Sequence, residues 1–162
     1  MAAPEATTTG AATAAPTKAG TKAPAAAPVA GIGTAVRDGK FEFVVQKVEC
    51  GKAQVGGEYL NKKAQGQFCL VTISVKNIGD KPQTMYDSNQ KGFGANNARY
   101  APDSAAGIYA NSEGDNQVWI SEINPGNQVT GLVVFDIPKD GALSSLELHD
   151  SAFSGGVKVK LQ

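Results

Sequence analysis

The clearest alternation of apolar and polar positions runs from Ile123 to Pro138, I-N-P-G-N-Q-V-T-G-L-V-V-F-D-I-P. Val129, Gly131, Val133, Phe135 and Ile137 fall on one side of a period of two, and Thr130, Leu132, Val134 and Asp136 on the other. That period belongs to a β-strand, whose apolar side must be buried. Asn124-Pro125-Gly126-Asn127 precedes it: proline presets φ at the second turn position and glycine accepts positive φ at the third, which predicts a type II turn. Pro138 has no N–H to donate to a ladder and ends the strand. The pattern predicts a central strand of the core.

The same period recurs elsewhere. Phe41, Phe43 and Val45 alternate with Glu42 and Val44, and the parity then shifts to Val48 and Cys50, which predicts a first strand with a bulge near Gln46-Lys47. Phe68–Ile78 is a second strand with Cys69, Val71, Ile73 and Val75 on one face. Short strands are expected at 83–86, at 117–120 around Trp119, at 143–148 with Leu146 and Leu148 inward, and at 157–161. Asn96-Asn97 suits a tight hairpin because Asn tolerates the left-handed region. Residues 51–67, with four glycines, predict a long loop, and 101–114 another with at most one helical turn. No stretch carries a sustained helical period. Some seven short strands between Gly, Pro and Asn turns predict an all-β, immunoglobulin-like antiparallel β-sandwich.

Composition divides the chain in two. Residues 1–38 are mostly Ala, Thr, Pro and Gly, with Val29, Ile32 and Val36 the only large apolar side chains. Ordering such a segment costs roughly 1–2 kcal/mol per residue with little burial to offset it. The expectation is a disordered linker over 1–38, able to act as a stalk, followed by the sandwich over 39–162. Met1-Ala-Ala-Pro reads as a start placed after a removed export signal, so membrane attachment is expected only through an anchor that this chain lacks. The formal net charge is zero, which removes the bulk attraction to nucleic acid or an anionic surface. A monomer is expected.

Cys50 and Cys69 are the two cysteines and bracket the expected loop at matched strand ends. In an exported chain an even count predicts a disulfide. Two buried thiols or a metal pair compete with it, and the metal pair lacks ligands, since His149 is the single histidine. Catalytic signatures are sparse: there is no G-x-S-x-G, H-E-x-x-H or P-loop. His149 reads as a surface or edge residue, so neither an enzyme nor a cofactor is expected. Asp87-Ser88-Asn89-Gln90-Lys91-Gly92 begins like a calcium loop, but Lys91 and Ala98 occupy the fifth and twelfth positions, where oxygen ligands belong. Glu113-Gly114-Asp115-Asn116 is a second acidic turn. A calcium-binding or carrier role through 87–92 or 113–116 is the alternative to a binding module.

The irregular middle region concentrates Tyr86, Phe93, Asn96, Asn97, Arg99, Tyr100 and Tyr109. Aromatic area combined with adaptable polar groups on loops is the composition of loop-built recognition surfaces. These seven residues are the expected contact surface for a protein or glycan of the cell envelope or host, with core packing at a sandwich edge as the competing reading of the aromatics.

Three segments in order, V-T-I-S-V-K-N-I-G-D-K-P-Q, A-R-Y-A-P-D and I-N-P-G-N-Q-V-T-G-L-V-V-F-D-I-P, resemble the telokin-like, immunoglobulin-like domain of unknown function 4352, from about Lys40 to the C-terminus. The departure is Gln90–Tyr100, where the family's acidic D-x-x-G-x-x-Y is replaced. The resemblance implies a secreted protein or lipoprotein of a Gram-positive, actinobacterial type of bacterium, with a fold related to a mycobacterial secreted immunoprotective antigen. It brings no catalytic residues. The expected function is a non-enzymatic binding or display module, extracellular or attached to the cell envelope.

Overall fold

The computed structural model describes residues 29–113, 119 and 121–162. In chain order the elements are β1 (Ala30–Gly31), β2 (Ala35–Asp38), β3 (Phe41–Gly56), β4 (Asn61–Asn77), β5 (Gln83–Thr84), β6 (Lys91–Phe93), β7 (Arg99–Tyr100), α1 (Ser104–Asn111), β8 (Glu122–Ile123), β9 (Gln128–Ile137), β10 (Ser145–Leu148) and β11 (Val157–Lys160). One sheet has the order β2-β3-β4-β9 and the other β1-β11-β10-β6-β7, while β5 and β8 form a small third pair. Neighbours are antiparallel except β1 and β11, which run parallel. The fold is the expected immunoglobulin-like β-sandwich.

The inner faces of the two large sheets meet in one apolar layer. Phe41, Phe43 and Val45 of β3, Val71, Ile73 and Val75 of β4, Val133, Phe135 and Ile137 of β9 and Leu146 and Leu148 of β10 are all buried there. These are the alternate positions that the period of two selects, and each such side chain contributes about 1.5–3 kcal/mol on burial. The parity change in β3 is a real irregularity, since its register with β4 shifts between Val45 and Lys47. The turn before β9 is as expected: Gly126 has φ 81° and Asn127 N–H donates to Asn124 O at 3.0 Å. Asn96 and Asn97 occupy the left-handed region at φ 57° and 58° between β6 and β7.

Four expectations are corrected. Among the described strands β9 pairs with β4 alone and is an edge strand, with one isolated bridge from Phe135 to Pro102 on its other side. It reads as central because both its faces are apolar: α1 covers the outer one, packing Ala106 and Ala110 against Leu132, Val134, Phe68 and Val55. The edge itself is closed by side chains and a short crossing segment. Asp103 N–H donates to Val134 O (2.8 Å), and the Asn111 amide donates to Leu132 O (2.9 Å) and accepts from Leu132 N–H (2.7 Å). An edge covered in this way offers no template to another chain.

Residues 51–67 are not a loop but the far half of a hairpin, with pairs such as Gln54↔Lys63 and Val55↔Lys62. Gly51 and Gly66 accompany register shifts, while Gly56 and Gly57 stand where the hairpin turns. Helix α1 replaces the expected loop at 101–114. Asp103 caps it by accepting from Ala106 N–H at 2.9 Å, and alanines favour the helix interior. Its buried face is made of small residues, so no bulky helical period marks it. Finally, the fold begins at Ala30 rather than at residue 39, because β1 and β2 are held by ladder bonds to β11 and β3, and Val36 enters the core. Residues 1–28 lie outside the described residues, as do Gln117, Val118 and Ile120 of the strand expected around Trp119. Trp119 itself is buried and donates its indole N–H to Leu132 O at 2.7 Å.

Candidate functional site

A cleft of about 460 Å³ opens between the segment that follows β4 and the turn that follows β10. Pro82, Gln83, Thr84, Tyr86 and Asn89 line one side, and Asp150, Ser151, Ala152 and Phe153 the other. Phe153 is 98% exposed and Tyr86 54%. The first wall is held by β5 and by the 3-10 turn Asp87–Asn89, whose Asp87 carboxylate accepts from Ser88 N–H (2.8 Å) and from the Ser104 hydroxyl (3.0 Å). The second wall is fixed at its two ends by a single side chain: Asp38 of β2 accepts from Asp150 N–H (2.7 Å) and Gly156 N–H (3.2 Å).

Beneath the cleft the two walls are joined by a buried amide. Gln90 donates to His149 O (3.0 Å) and Tyr86 O (3.0 Å), and accepts from His149 N–H (2.8 Å). A neutral side chain that bridges two backbone segments in this manner fixes their separation. His149 is itself buried, which corrects the surface or edge placement read from the sequence. Its Nε2 lies 2.7 Å from Glu147 Oε1, and its Nδ1 3.1 Å from both the backbone oxygen and the hydroxyl of Ser154. Lys91 Nζ completes the group at 3.2 Å from Glu147. Burial pushes the Glu147 carboxyl up, but hydrogen bonds from His149 and Lys91, with their charges, outweigh it and hold the group below its ordinary value. Gly156, at φ 75°, presses on the ring: a Cβ there would lie 2.5 Å from His149 Cε1.

The Ser154–His149–Glu147 arrangement has the composition of a charge-relay group without its access. The His149 side chain is 5% exposed, and the Ser154 hydroxyl also donates to Ser151 O at 3.1 Å. A nucleophile must face a cavity where the reacting carbon can sit, and Ser154 is not among the residues lining the cleft. The group locks the 150–156 turn.

The seven residues expected to form one contact surface are distributed over three places. Phe93, Asn96, Asn97, Arg99 and Tyr100 share the β6–β7 hairpin, where Phe93 pairs with Arg99 and lies 5.8 Å under Lys158 Nζ. Tyr100 is half-buried against the main core, and Tyr109 packs against the cluster under α1. Tyr86 alone reaches the cleft. Phe153 and Asp150 escaped sequence reasoning. The available signal was a single large apolar residue inside S-A-F-S-G-G, between two strands, where nothing calls for core packing. Of the calcium-like segment 87–92, Asp87–Asn89 form the 3-10 turn described above and Lys91 and Gly92 begin β6, with Lys91 directed to Glu147. Among the described residues no three His, Cys, Asp or Glu side chains converge. Of the second acidic turn, 114–116 lie outside the described residues.

Cys50 and Cys69 form a disulfide between β3 and β4. Cys69 is fully buried, while Cys50 lies in the irregular stretch between the paired residues Glu49 and Lys52. A larger open groove of about 900 Å³ runs along Lys62, Asp103, Asp136 and Lys139. Lys62 is ion-paired to Asp103, and Asp136 accepts from Gln65 N–H (2.7 Å) and Gly66 N–H (3.0 Å). Three of the groove's charges are thus engaged within the protein. Burial raises the Asp103 carboxyl, but the Lys62 bond and charge and the N–H groups of Ala106 and Ala105 bring it below its ordinary value.

The family described as Domain of unknown function (DUF4352) matches residues 30–159. Uncharacterized protein YxkC of Bacillus subtilis (strain 168) is 33% identical over 137 residues, which is 81% of this chain and 74% of that protein. Among solved structures, the yjhA protein from Bacillus subtilis superposes with a TM-score of 0.59 at 17% identity, covering 83% of this chain and 100% of that one. MPT63, a secreted protein from Mycobacterium tuberculosis, does so with a TM-score of 0.54 at 15% identity, over 85% and 99%. These two likenesses are of fold.

Proposed function

The chain belongs to the DUF4352 family, and on that premise we propose that it is a non-enzymatic binding module, extracellular or attached to the cell envelope, whose contact surface is the cleft between Tyr86 and Phe153. The observation that carries this reading is the near-complete exposure of Phe153 on a turn clamped at both ends. Scattered exposed apolar residues are ordinary. This one stands opposite a second exposed aromatic across a concave site, on a turn whose conformation three side chains specify. Such a site presents aromatic area at little ordering cost on binding. The disulfide, and the likeness to a protein described as secreted, support an oxidising, external location.

The β6–β7 hairpin, with Asn96, Asn97 and Arg99, is the competing surface. Sedimentation of the chain with purified Gram-positive envelope separates the two. The pair Tyr86→Ala/Phe153→Ala is expected to weaken binding about tenfold or more, the effect of losing aromatic anchors. The pair Phe93→Ala/Arg99→Ala is expected to leave it unchanged. The reverse pattern places the surface on the hairpin, and a wild-type chain that stays in the supernatant refutes the reading altogether.

A further inference from the structure

Granted that the cleft is a contact surface, the residues lining it narrow the class of ligand, and we infer that it takes a neutral oligosaccharide. Two exposed aromatic side chains, Tyr86 and Phe153, flank the opening, with Pro82 and Ala152 adding small apolar area. Between them lie Gln83, Thr84, Asn89 and Ser151, whose side chains make no hydrogen bond to protein among the described residues. They are neutral donors and acceptors, Ser151 exposed and the other three half-buried. Asp150 is the only charged residue of the lining among the described residues, and one oxygen of its carboxylate accepts from Lys40 N–H at 3.0 Å.

A pyranose ring demands this combination. Its C–H face is apolar and flat, and it stacks on aromatic area. Its hydroxyls lie around the edge, and each both donates and accepts, so neutral amides and hydroxyls match them while a fixed charge is not needed. Among the described residues no Lys or Arg lines the cleft, which argues against a phosphate, a nucleic acid or an acidic peptide, all of which are read by cations. Size points the same way. A volume of about 460 Å³ falls in the range of small-ligand sites. The walls are held in place by the Gln90 bridge and the Asp38 clamp, so binding need not order the turn.

The test uses the full chain and two kinds of probe. Cellotetraose and chitotetraose are titrated while backbone amide shifts are followed by NMR. In parallel, the chain is sedimented with purified cell wall before and after exhaustive protease treatment of the wall. The inference expects saturable shifts confined to 82–90 and 150–154 with at least one tetrasaccharide, or binding that survives protease treatment. In either case Phe153→Ala and Tyr86→Ala each weaken the interaction about tenfold while the remaining amide spectrum is retained. Binding to untreated wall that protease abolishes, with no saturable shift from either sugar, overturns the saccharide inference but leaves the contact surface standing, with a protein as its partner. Saturable shifts on the β6–β7 hairpin overturn it, and so does no binding to any probe, which removes the contact surface as well.

Discussion

Asn111 sits at the end of α1, yet its main service is to β9. Its amide takes both the N–H and the C=O of Leu132, as the next strand of a sheet would, and it also donates to Gly107 O at 2.8 Å. Asn111→Ala leaves the buried Leu132 N–H with no acceptor, which costs about 1–3 kcal/mol. The carbonyl keeps the Trp119 indole bond, so only the donor is orphaned. With about 1 kcal/mol for the remaining lost bonds, the expected loss is about 2–4 kcal/mol. For a domain of this size that lowers Tm by about 6–12 °C. Asn111→Asp keeps the volume and the acceptor but directs a carboxylate oxygen at two carbonyls, and should cost at least as much. Urea unfolding measured by far-UV circular dichroism reads the stability, and amide hydrogen exchange at Leu132 reads the local site. Asn111→Ala stability within about 0.5 kcal/mol of wild type, together with unchanged exchange at Leu132, would falsify the view that this side chain completes the sheet edge.

Replacing both Cys50 and Cys69 with alanine should cost about 3 kcal/mol in the chain-entropy estimate for a closed loop of this size while the sandwich persists; a denaturant midpoint equal to that of the oxidised wild type contradicts it. Gly156→Ala forces a Cβ into the His149 ring at an unfavourable φ and should destabilise by about 2 kcal/mol or more, whereas Gly155→Ala, with open space around its Cβ, should be neutral; equal melting temperatures for the two would remove the packing argument. Asp103 and Glu147 are both held below their ordinary values, so their contribution is complete above the normal carboxylate range and is lost as pH falls through the depressed values. Stability should therefore decline on acidification, and Lys62→Met should flatten the acid limb of that curve; an unchanged limb contradicts the Asp103 assignment.

The sandwich was legible because its core obeys one rule. Phe41, Phe43, Val71, Ile73, Val133 and Phe135 are large, buried and two apart, and that signal survives without any partner information. The turn at Asn124–Asn127 and the left-handed Asn96 and Asn97 were equally legible, since local backbone sterics specify them. What escaped depends on relations between distant residues. The helix α1 buries alanines, which carry no amphipathic signature. β1 and β2 are held through ladder bonds to strands more than a hundred residues away or across a turn. The edge position of β9 was hidden because an apolar outer face looks the same under a helix as under a neighbouring strand. His149 illustrates the same limit: nothing in L-H-D tells that Gln90, fifty-nine residues earlier, takes both its backbone N–H and its backbone carbonyl. The cleft was half legible, since Tyr86 was singled out and Phe153 was not.

The parallel pairing of β1 with β11, Ala30↔Val159 and Gly31↔Lys160, also determines how the module carries mechanical load. The chain enters at Ala30 and leaves beyond Lys160 travelling in the same direction on adjacent strands. Tension between a tether on the N-terminal side and an attachment on the C-terminal side therefore pulls the two strands past each other. The hydrogen bonds between them lie across that pull and are strained together, rather than one after another as when a hairpin is unzipped. The line of force passes from strand to strand along one edge of the five-stranded sheet. Because the shear-loaded pairing is only two residues long, it is the first bond set to part, and its rupture frees Ala30 and Gly31 while β2, β3, β4 and β9 remain stacked. A load applied from the N-terminal side then gains a few residues of length before β2, β3, β4 and β9 yield.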